Sequence, residues 1–207
     1  MKKIITRDSS VTLFNEKYQE HYHSHTIGAI EEAFVKFAEP ANIKEGMKIL
    51  DICFGLGYNS LAAISFSKKI EIVGLENDIG ILDKIKTMKV PSKFEQDYEI
   101  IRKAASNLGY DKEGLKIRII LGDALETIKN CGEGFDAVFL DPFSPKKCPE
   151  LWTKEFFDEI YKIMNKDGIL TTYSCATSVR RNLKDAGFEV RDGPVFGRKS
   201  PATIGVK

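Results

Sequence analysis

Short apolar runs and longer amphipathic stretches alternate along most of the chain. A short apolar run bounded by turn residues predicts a buried strand, and apolar residues recurring every three to four positions predict a helix. The predicted strands are Lys48–Cys53, Glu71–Leu75, Lys116–Leu121, Ala137–Leu140, Ile169–Tyr173, Glu189–Arg191 and Thr203–Val206. The predicted helices between the first six strands are Asn59–Ser67, Ile79–Lys86, Phe94–Leu108, Leu125–Asn130, Thr153–Met164 and Ser178–Asp185. Strands that alternate with helices are typical of a doubly wound, mostly parallel α/β sheet.

The last two predicted strands have no helix between them. We therefore expect them to form an antiparallel hairpin at the edge of a seven-stranded sheet, so that the last strand runs against its neighbours. Residues 1–45 contain the amphipathic stretch Ile30–Phe37 and are predicted to form a small N-terminal appendage. We expect this appendage to pack on a main domain made of residues 46–207.

Composition limits the possible classes of protein. The 207 residues carry a formal net charge of +1, so overall charge neither favours nor excludes a nucleic-acid partner. The apolar stretches are too short to span a bilayer, and no apolar run follows Lys2 and Lys3 as in a signal peptide. The four cysteines are scattered, which favours a reducing compartment and argues against a zinc site or a disulfide framework. These features predict a cytoplasmic protein.

Acidic residues stand at the ends of the first four predicted strands: Asp51, Glu76, Asp123 and Asp141. The carboxyl ends of parallel strands meet at one edge of the sheet, where open α/β sheets bind their ligands. We therefore expect these carboxylates to surround one site. Each acid taken alone could instead cap a helix.

The turn after the first strand carries Gly55 and Gly57, which can adopt backbone angles closed to other residues and let a ligand approach closely. Glu76 follows Gly57 by 19 residues, a spacing at which a carboxylate can bind both hydroxyls of a ribose. Ser60 occupies the place of the last glycine in a Gly-x-Gly-x-x-Gly loop, and the carboxylates would repel a pyrophosphate. The pattern therefore favours S-adenosyl-L-methionine over NAD.

The segment from Phe135 to Phe157 suggests the acceptor of a methyl group. Its apolar run ends on Asp141, and Pro142 and Phe143 follow directly. A carboxylate can accept N–H bonds, and an aromatic ring can stack on a flat base. This segment predicts a methyltransferase that acts on an amino group. Phe143 could also be a core aromatic beside the sheet.

Several sequence blocks resemble the methyltransferase module of the MnmC family, tRNA enzymes that complete 5-methylaminomethyl(-2-thio)uridine at the wobble position. The blocks are Tyr22–Ser24, Gly28–Ala33, Phe54–Asn59, Phe139–Lys146, Pro149–Thr153, Ser178–Leu183, Ala186–Phe188 and Phe196–Lys199. Cys53 stands where the family usually has glycine, and Leu56 where it usually has threonine. Nothing in the sequence corresponds to the FAD-dependent half of the bifunctional enzymes, so the resemblance is to a stand-alone form.

This resemblance implies a class I methyltransferase fold, which is Rossmann-like, and transfer of the methyl group of S-adenosyl-L-methionine to the primary amine of 5-aminomethyluridine. Asp141 would orient the amine, and Phe143 would stack on the uracil. The implied cofactor-binding residues are Tyr22, Ser24, Glu32, Asp51, Gly55, Gly57, Asn59, Glu76, Asp123 and Asp141. The resemblance also places His23 near the cofactor.

Histidines alternate at the N-terminal end of the chain: His21, His23 and His25. On a strand they would share one face, and three imidazoles could bind a metal. A metal site also needs an acid nearby and supporting contacts, which the sequence does not identify. We therefore predict no metal.

Basic residues cluster in three pairs: Lys146 and Lys147, Arg180 and Arg181, and Arg198 and Lys199. Such clusters suit phosphate contacts, although each pair alone could be solvated surface. We expect the anticodon stem-loop of a tRNA as the partner, with no membrane and no stable protein partner.

Three other interpretations stay open. A spermidine-synthase-like aminopropyltransferase shares the fold and the acid after the fourth strand, but normally has more acids around that loop. A non-catalytic RNA-binding protein could keep the fold, although the acids at the strand ends argue against it. A nicotinamide oxidoreductase conflicts with the glycine loop.

Overall fold

The computed structural model describes residues 1–24 and 26–207. It begins with a small antiparallel sheet of three strands, β1 (Lys3–Ile5), β2 (Val11–Asn15) and β3 (Glu20–His21). Helix α1 (Ala29–Ala33) follows and continues into a π-helical turn, Phe34–Ala38. The ring of Phe37 is fully buried and meets Phe139 of the main sheet at a centroid distance of 6.2 Å. The N-terminal segment therefore shares its apolar core with the rest of the chain.

Eight strands form the main sheet in the part of the chain that the structure describes. They are β4 (Lys48–Ile52), β5 (Glu71–Glu76), β6 (Gly109–Lys112), β7 (Leu115–Leu121), β8 (Phe135–Leu140), β9 (Met164–Thr172), β10 (Glu189–Asp192) and β11 (Thr203–Val206). Their order across the sheet is β10-β11-β9-β8-β4-β5-β7-β6. The five central strands from β9 to β7 are parallel, and β11 runs antiparallel to both β9 and β10. The predicted doubly wound sheet with an antiparallel last strand is confirmed.

The predicted number of seven strands was one too few. Strand β6 pairs antiparallel with β7 at the edge of the sheet opposite β10. It joins β7 through a tight turn in which Glu113 and Gly114 have φ of 54° and 90°. The strand is polar and partly or fully exposed, so no apolar run marks it in the sequence.

The helices lie between the parallel strands, as the pattern predicted. They are α2 (Tyr58–Phe66), α3 (Ile79–Ile85), α4 (Glu95–Asn107), α5 (Ala124–Thr127), α6 (Lys154–Ile163) and α7 (Thr177–Asp185). Single 3₁₀ turns precede α4 at Ser92–Phe94, follow α5 at Ile128–Asn130 and precede α6 at Pro149–Trp152. None of the helices in the described ranges is long and apolar enough to cross a membrane.

Successive side chains of a strand point to opposite faces of the sheet, and an apolar cluster covers each face. Ile49 of β4 belongs to one apolar cluster, together with α1, α2 and α4, whereas its neighbour Leu50 belongs to the other, with α6 and α7. The carboxyl ends of β4, β5, β7 and β8 meet at one edge of this buried sheet, and the N-terminal segment lies against that edge.

Candidate active site

A cavity of about 760 Å³ opens at the carboxyl edge of the sheet. The N-terminal segment and the strand ends both contribute to its wall. Sequence-predicted residues in this wall are Tyr22, Ser24, Glu32, Gly55, Glu76, Asp141, Phe143 and Arg198. A smaller cavity of about 170 Å³ shares Cys53 and Glu76 with the first and reaches Asp123. The structure therefore brings most of the predicted cofactor residues to one continuous region.

The loop after β4 turns through three residues with left-handed backbone angles. Cys53, Gly55 and Gly57 have φ of 66°, 54° and 72°. A side chain at Gly57 would place its Cβ 2.5 Å from Ile101 Cγ2, so glycine is required there on steric grounds as well. Glycine adopts a left-handed conformation without strain, so glycine would fit best at position 53, where this chain has Cys53. The backbone of the loop thereby borders the cavity closely at Gly55.

Glu76, at the end of β5, organises the loops around it through its carboxylate. Its Oε2 accepts from the Gly55 N–H at 2.8 Å, and its Oε1 accepts from the N–H groups of Asn77 and Asp78 at 2.9 and 2.8 Å. Burial raises the pKa of Glu76, and these N–H bonds act in the opposite direction. A carboxylate has about four acceptor positions, so Glu76 can still accept from hydroxyl groups in the cavity.

Asp123 caps helix α5, as the alternative interpretation of this acid proposed. Its Oδ1 accepts from the Leu125 N–H at 2.9 Å. Its side chain nevertheless lines the smaller cavity. The two roles are therefore compatible.

Three predicted cofactor residues lie behind the cavity wall rather than in it. Gly57, Asn59 and Asp51 are absent from the lining of both cavities. Asp51 is fully buried, and its Oδ2 accepts from Ser60 Oγ at 2.6 Å. Burial raises the pKa of Asp51 to about 7. Among the described residues, Asp51 Oδ1 and Asn59 Oδ1 are buried side-chain oxygens without a hydrogen-bond partner.

Asp141 lies at the end of β8 and faces the main cavity. Its Oδ2 accepts from Asn59 Nδ2 at 2.9 Å and lies 3.9 Å from His23 Nδ1. Burial raises the pKa of Asp141 well above its usual range, and the nearby Glu32 carboxylate raises it further. Burial lowers the pKa of His23, so the imidazole is neutral at pH 7 and its contacts with the carboxylates are not salt bridges.

Glu32 forms a buried ion pair with Lys36, one helical turn later. Lys36 Nζ lies 2.6 Å from Glu32 Oε1, and the other carboxylate oxygen accepts from the Ser24 N–H at 3.2 Å. Both charged side chains face the cavity. The sequence prediction included Glu32 but missed Lys36, although the spacing of four residues between opposite charges on a helix is a recognisable signal.

The balance of buried charge favours a positively charged ligand. Four buried or nearly buried carboxylates surround the region: Glu32, Asp51, Glu76 and Asp141. Among the described residues that line the cavity, Lys36 is the buried cation, whereas Lys17 and Arg198 are exposed at its mouth. S-adenosyl-L-methionine carries a sulfonium and an ammonium group. The excess of carboxylates in and behind the cavity wall therefore fits this cofactor.

The loop after Asp141 packs against the N-terminal segment. The ring of Phe143 stacks on Tyr18 at a centroid distance of 4.4 Å and meets the edge of Tyr22 at 5.3 Å. Glu20 accepts from the Ser144 N–H at 2.9 Å and from its hydroxyl group. One face of Phe143 is thus already covered by Tyr18, so a base could stack on Phe143 only at its other face or by displacing Tyr18. Nothing in the sequence pattern pointed to Tyr18 or Glu20.

The predicted phosphate-binding residues differ in their exposure and in the contacts that they already make. Lys146, Lys147, Arg181 and Lys199 are exposed. Arg198 borders the cavity and donates to the Tyr173 carbonyl. Arg180 is half-buried and forms an ion pair with Asp192 at 2.8 Å. Arg180 therefore has a structural contact that the sequence did not indicate.

Outside His25, which is not described, no group of three or more His, Cys, Asp and Glu side chains is placed to hold a metal ion. His23 lies beside Glu32 and Asp141.

A sequence profile of an S-adenosyl-L-methionine-dependent methyltransferase family matches residues 86–207, more than half of the chain. The chain belongs to this family. The crystal structure of MnmC2 from Aquifex aeolicus is similar over 99% of the chain and 69% of that protein, with a TM-score of 0.88 and 33% sequence identity. The methyltransferase assignment agrees with the cofactor that the geometry of the cavity favours.

The curated relatives described next are longer than the chain. An uncharacterized protein of Methanocaldococcus jannaschii is 35% identical over 98% of the chain, which spans 58% of that relative. The tRNA 5-methylaminomethyl-2-thiouridine biosynthesis bifunctional protein MnmC of Ralstonia nicotianae is 28% identical over 93% of the chain. The chain spans 32% of that bifunctional protein.

Proposed function

We propose that this methyltransferase transfers the methyl group of S-adenosyl-L-methionine to the primary amine of 5-aminomethyl(-2-thio)uridine at the wobble position of tRNA. The observation that carries the proposal is the similarity to MnmC2 over 99% of the chain. The name of the Ralstonia relative, which refers to tRNA 5-methylaminomethyl-2-thiouridine biosynthesis, supports the same substrate class. Membership of a methyltransferase family favours this function over aminopropyl transfer, nicotinamide chemistry and non-catalytic RNA binding.

The cofactor would lie along the carboxyl edge of the sheet. Glu76 accepts hydrogen bonds from the hydroxyl groups of the ribose, and the smaller cavity beside Asp123 holds the adenine. Gly55 gives the cofactor close access to the backbone. The methionine portion extends along Tyr22, Ser24 and Glu32. Asp51 and Asn59 act from behind the wall by fixing the loop and Asp141.

The chemistry requires a neutral amine, because an ammonium group has no lone pair. S-adenosyl-L-methionine supplies an electrophilic methyl group on its sulfonium sulfur. Asp141 orients the amine from its fixed position at the end of β8 and stabilises the positive charge that develops on nitrogen. Positioning of this kind can lower a barrier by roughly 7–11 kcal/mol.

The base and the tRNA would approach from the open side of the cavity. Phe143 offers its free face to the uracil, and base–aromatic stacking contributes about 1–3 kcal/mol per base. The exposed basic residues around this side contact phosphates of the anticodon stem-loop. They are Lys146, Lys147, Arg181, Arg198 and Lys199.

The test of this function uses the purified protein, radiolabelled S-adenosyl-L-methionine and two tRNA preparations. One preparation carries 5-aminomethyl-2-thiouridine, and the other carries unmodified uridine at the same position. Nucleoside analysis should find label in 5-methylaminomethyl-2-thiouridine from the first tRNA alone. Label on another nucleoside, or none on either tRNA while the protein binds the cofactor, would refute the proposed substrate.

A further inference from the structure

His23 is a buried side chain that borders the main cavity. Its backbone is fixed by Thr12, whose hydroxyl oxygen accepts from the His23 N–H at 3.0 Å and donates to the His23 carbonyl at 3.1 Å. Thr12 is itself fully buried in β2. The imidazole is therefore anchored at the cavity wall.

Two carboxylates lie near the same imidazole nitrogen. Nδ1 is 3.9 Å from Asp141 Oδ2 and 4.0 Å from Glu32 Oε2. Both distances are too long for a direct hydrogen bond. Two atoms at this separation leave room for a third, and an amine nitrogen can lie about 2.8–2.9 Å from both Nδ1 and Asp141 Oδ2. The three side chains thus surround a position suited to a primary ammonium group.

The neighbouring charges determine what each side chain can do there. A carboxylate beside an ammonium stabilises the protonated form, so Asp141 by itself opposes loss of the proton. The charged groups that act on His23 are Glu32, Asp141, Asp8 and Lys36, and the Tyr58 ring packs against it at 5.3 Å. Burial outweighs the carboxylates and lowers the pKa of His23, which keeps the imidazole available as a neutral base.

We propose that His23 Nδ1 accepts the proton that the substrate ammonium loses before methyl transfer. In this step the substrate N–H bond breaks, and its electron pair stays on nitrogen as the nucleophilic lone pair. The lone pair of Nδ1 forms the new N–H bond, which requires the tautomer with hydrogen on Nε2. Asp141 and Glu32 then flank the imidazolium, and the proton passes to solvent when the product leaves. This inference rests on the proposed function and identifies the general base of the same site.

The decisive measurement is the single-turnover rate of the His23→Gln variant and of the wild type. Both cofactor and tRNA bearing 5-aminomethyl-2-thiouridine are saturating, and the pH is varied from about 6 to about 9. A general base contributes roughly 10²–10⁴-fold, so we expect the rate to fall by about 10²-fold near neutral pH. The difference should shrink as pH rises, because solution then supplies more of the amine in its neutral form. A structural role would not produce this pH dependence.

Two further readouts separate catalysis from cofactor binding. Calorimetry should give the variant an affinity for S-adenosyl-L-methionine close to the wild-type value. Nitrogen NMR of the wild type with S-adenosylhomocysteine and the same tRNA should find His23 as an imidazolium, in contrast to the free protein. An unchanged single-turnover rate, or a decrease that does not depend on pH, would overturn the role of His23.

The outcomes for the wild type keep the two proposals apart. If the wild type methylates this tRNA and the His23→Gln variant is equally fast, His23 is not the general base and the proposed function is unaffected. If the wild type binds the cofactor but does not methylate the aminomethyl group, the proposed function is refuted, and the role of His23 that rests on it is refuted as well.

Discussion

Asn59 Nδ2 donates to Asp141 Oδ2 at 2.9 Å and thereby joins residues that lie 82 positions apart in the chain. Asn59 belongs to the first turn of α2, and Asp141 follows β8. The bond holds the carboxylate against the loop that borders the cavity. Burial and the nearby Glu32 carboxylate raise the pKa of Asp141. A cationic ligand in the cavity would act in the opposite direction and favour the ionised carboxylate.

Replacement of Asp141 by asparagine should therefore affect the chemical step. Asp141→Asn keeps the shape and removes the negative charge, and folding should survive because Asn59 can reorient its amide. We expect the single-turnover rate at saturating cofactor and tRNA to fall by roughly 10²–10³-fold, the effect typical of removing a group that stabilises the transition state. Asp111→Asn, on the exposed strand β6, is the control and should match the wild type. An unchanged rate in Asp141→Asn would exclude a catalytic role for this carboxylate.

Glu76 should govern cofactor affinity. Glu76→Ala removes the acceptor of the proposed ribose bonds and should weaken S-adenosyl-L-methionine binding by about 1–3 kcal/mol. It should also lower thermal stability, since three backbone N–H groups lose their partner. Glu71→Ala, at the other end of β5, should leave affinity unchanged in calorimetry. Tighter binding of NAD than of S-adenosyl-L-methionine by the wild type would contradict the cofactor site itself.

Much of the fold could be predicted because it depends on local pattern. Apolar runs that end on Asp51, Glu76 and Asp141 identify the central strands and the edge at which their acids meet. Strand β6 could not be predicted in this way, because its pairing depends on a neighbour rather than on apolar residues of its own. A polar edge strand has little hydrophobic periodicity to detect.

The candidate site was less predictable wherever it depends on contacts between distant segments. Tyr18 reaches Phe143, and Glu20 reaches Ser144, across more than a hundred residues. The ion pair of Arg180 with Asp192 likewise arises from packing of α7 against β10. Sequence spacing identifies residue types near strand ends, but it does not reveal which side chains already have partners.

The pKa of Asp51 should make stability depend on pH. The carboxyl group titrates at about 7 in the folded protein and at its ordinary value of 3.8 in the unfolded chain. Between these values the folded state keeps a proton that the unfolded state has released, so this group lowers the free energy of unfolding as pH rises. Asp51→Asn should therefore gain stability over the wild type by up to about 1.4 kcal/mol per pH unit in this window. Urea unfolding at several pH values measures the difference, and parallel curves for the two proteins would disprove it.

Cofactor affinity should increase as pH rises, whereas the contribution of Asp51 to stability decreases. A cationic ligand favours ionised carboxylates, so binding of S-adenosyl-L-methionine to the free protein should release protons and strengthen as pH rises toward about 7. Calorimetry in buffers of different ionisation enthalpy counts the protons. S-adenosylhomocysteine, which lacks the sulfonium charge, should release fewer. Equal proton release by both ligands would mean that the sulfonium does not act on the buried acids.

Neutralising the exposed basic residues should weaken tRNA binding without affecting the cofactor. The variant replaces Lys146, Lys147, Arg181 and Lys199 by glutamine and leaves Arg180 intact, because its ion pair with Asp192 supports the fold. Each phosphate that the protein neutralises releases counterions, so the slope of log affinity against log salt should fall by about 0.7–0.9 for each phosphate that the variant no longer binds. We therefore expect a higher Michaelis constant for tRNA, a shallower salt dependence and an unchanged affinity for S-adenosyl-L-methionine. Lys112 and Lys116 are exposed on β6 and β7, at the side of the sheet opposite β10, and their replacement by glutamine provides a control that removes half as many charges. If tRNA affinity falls by the same amount per removed charge in both variants, binding follows overall charge, and these four residues do not form a specific tRNA surface.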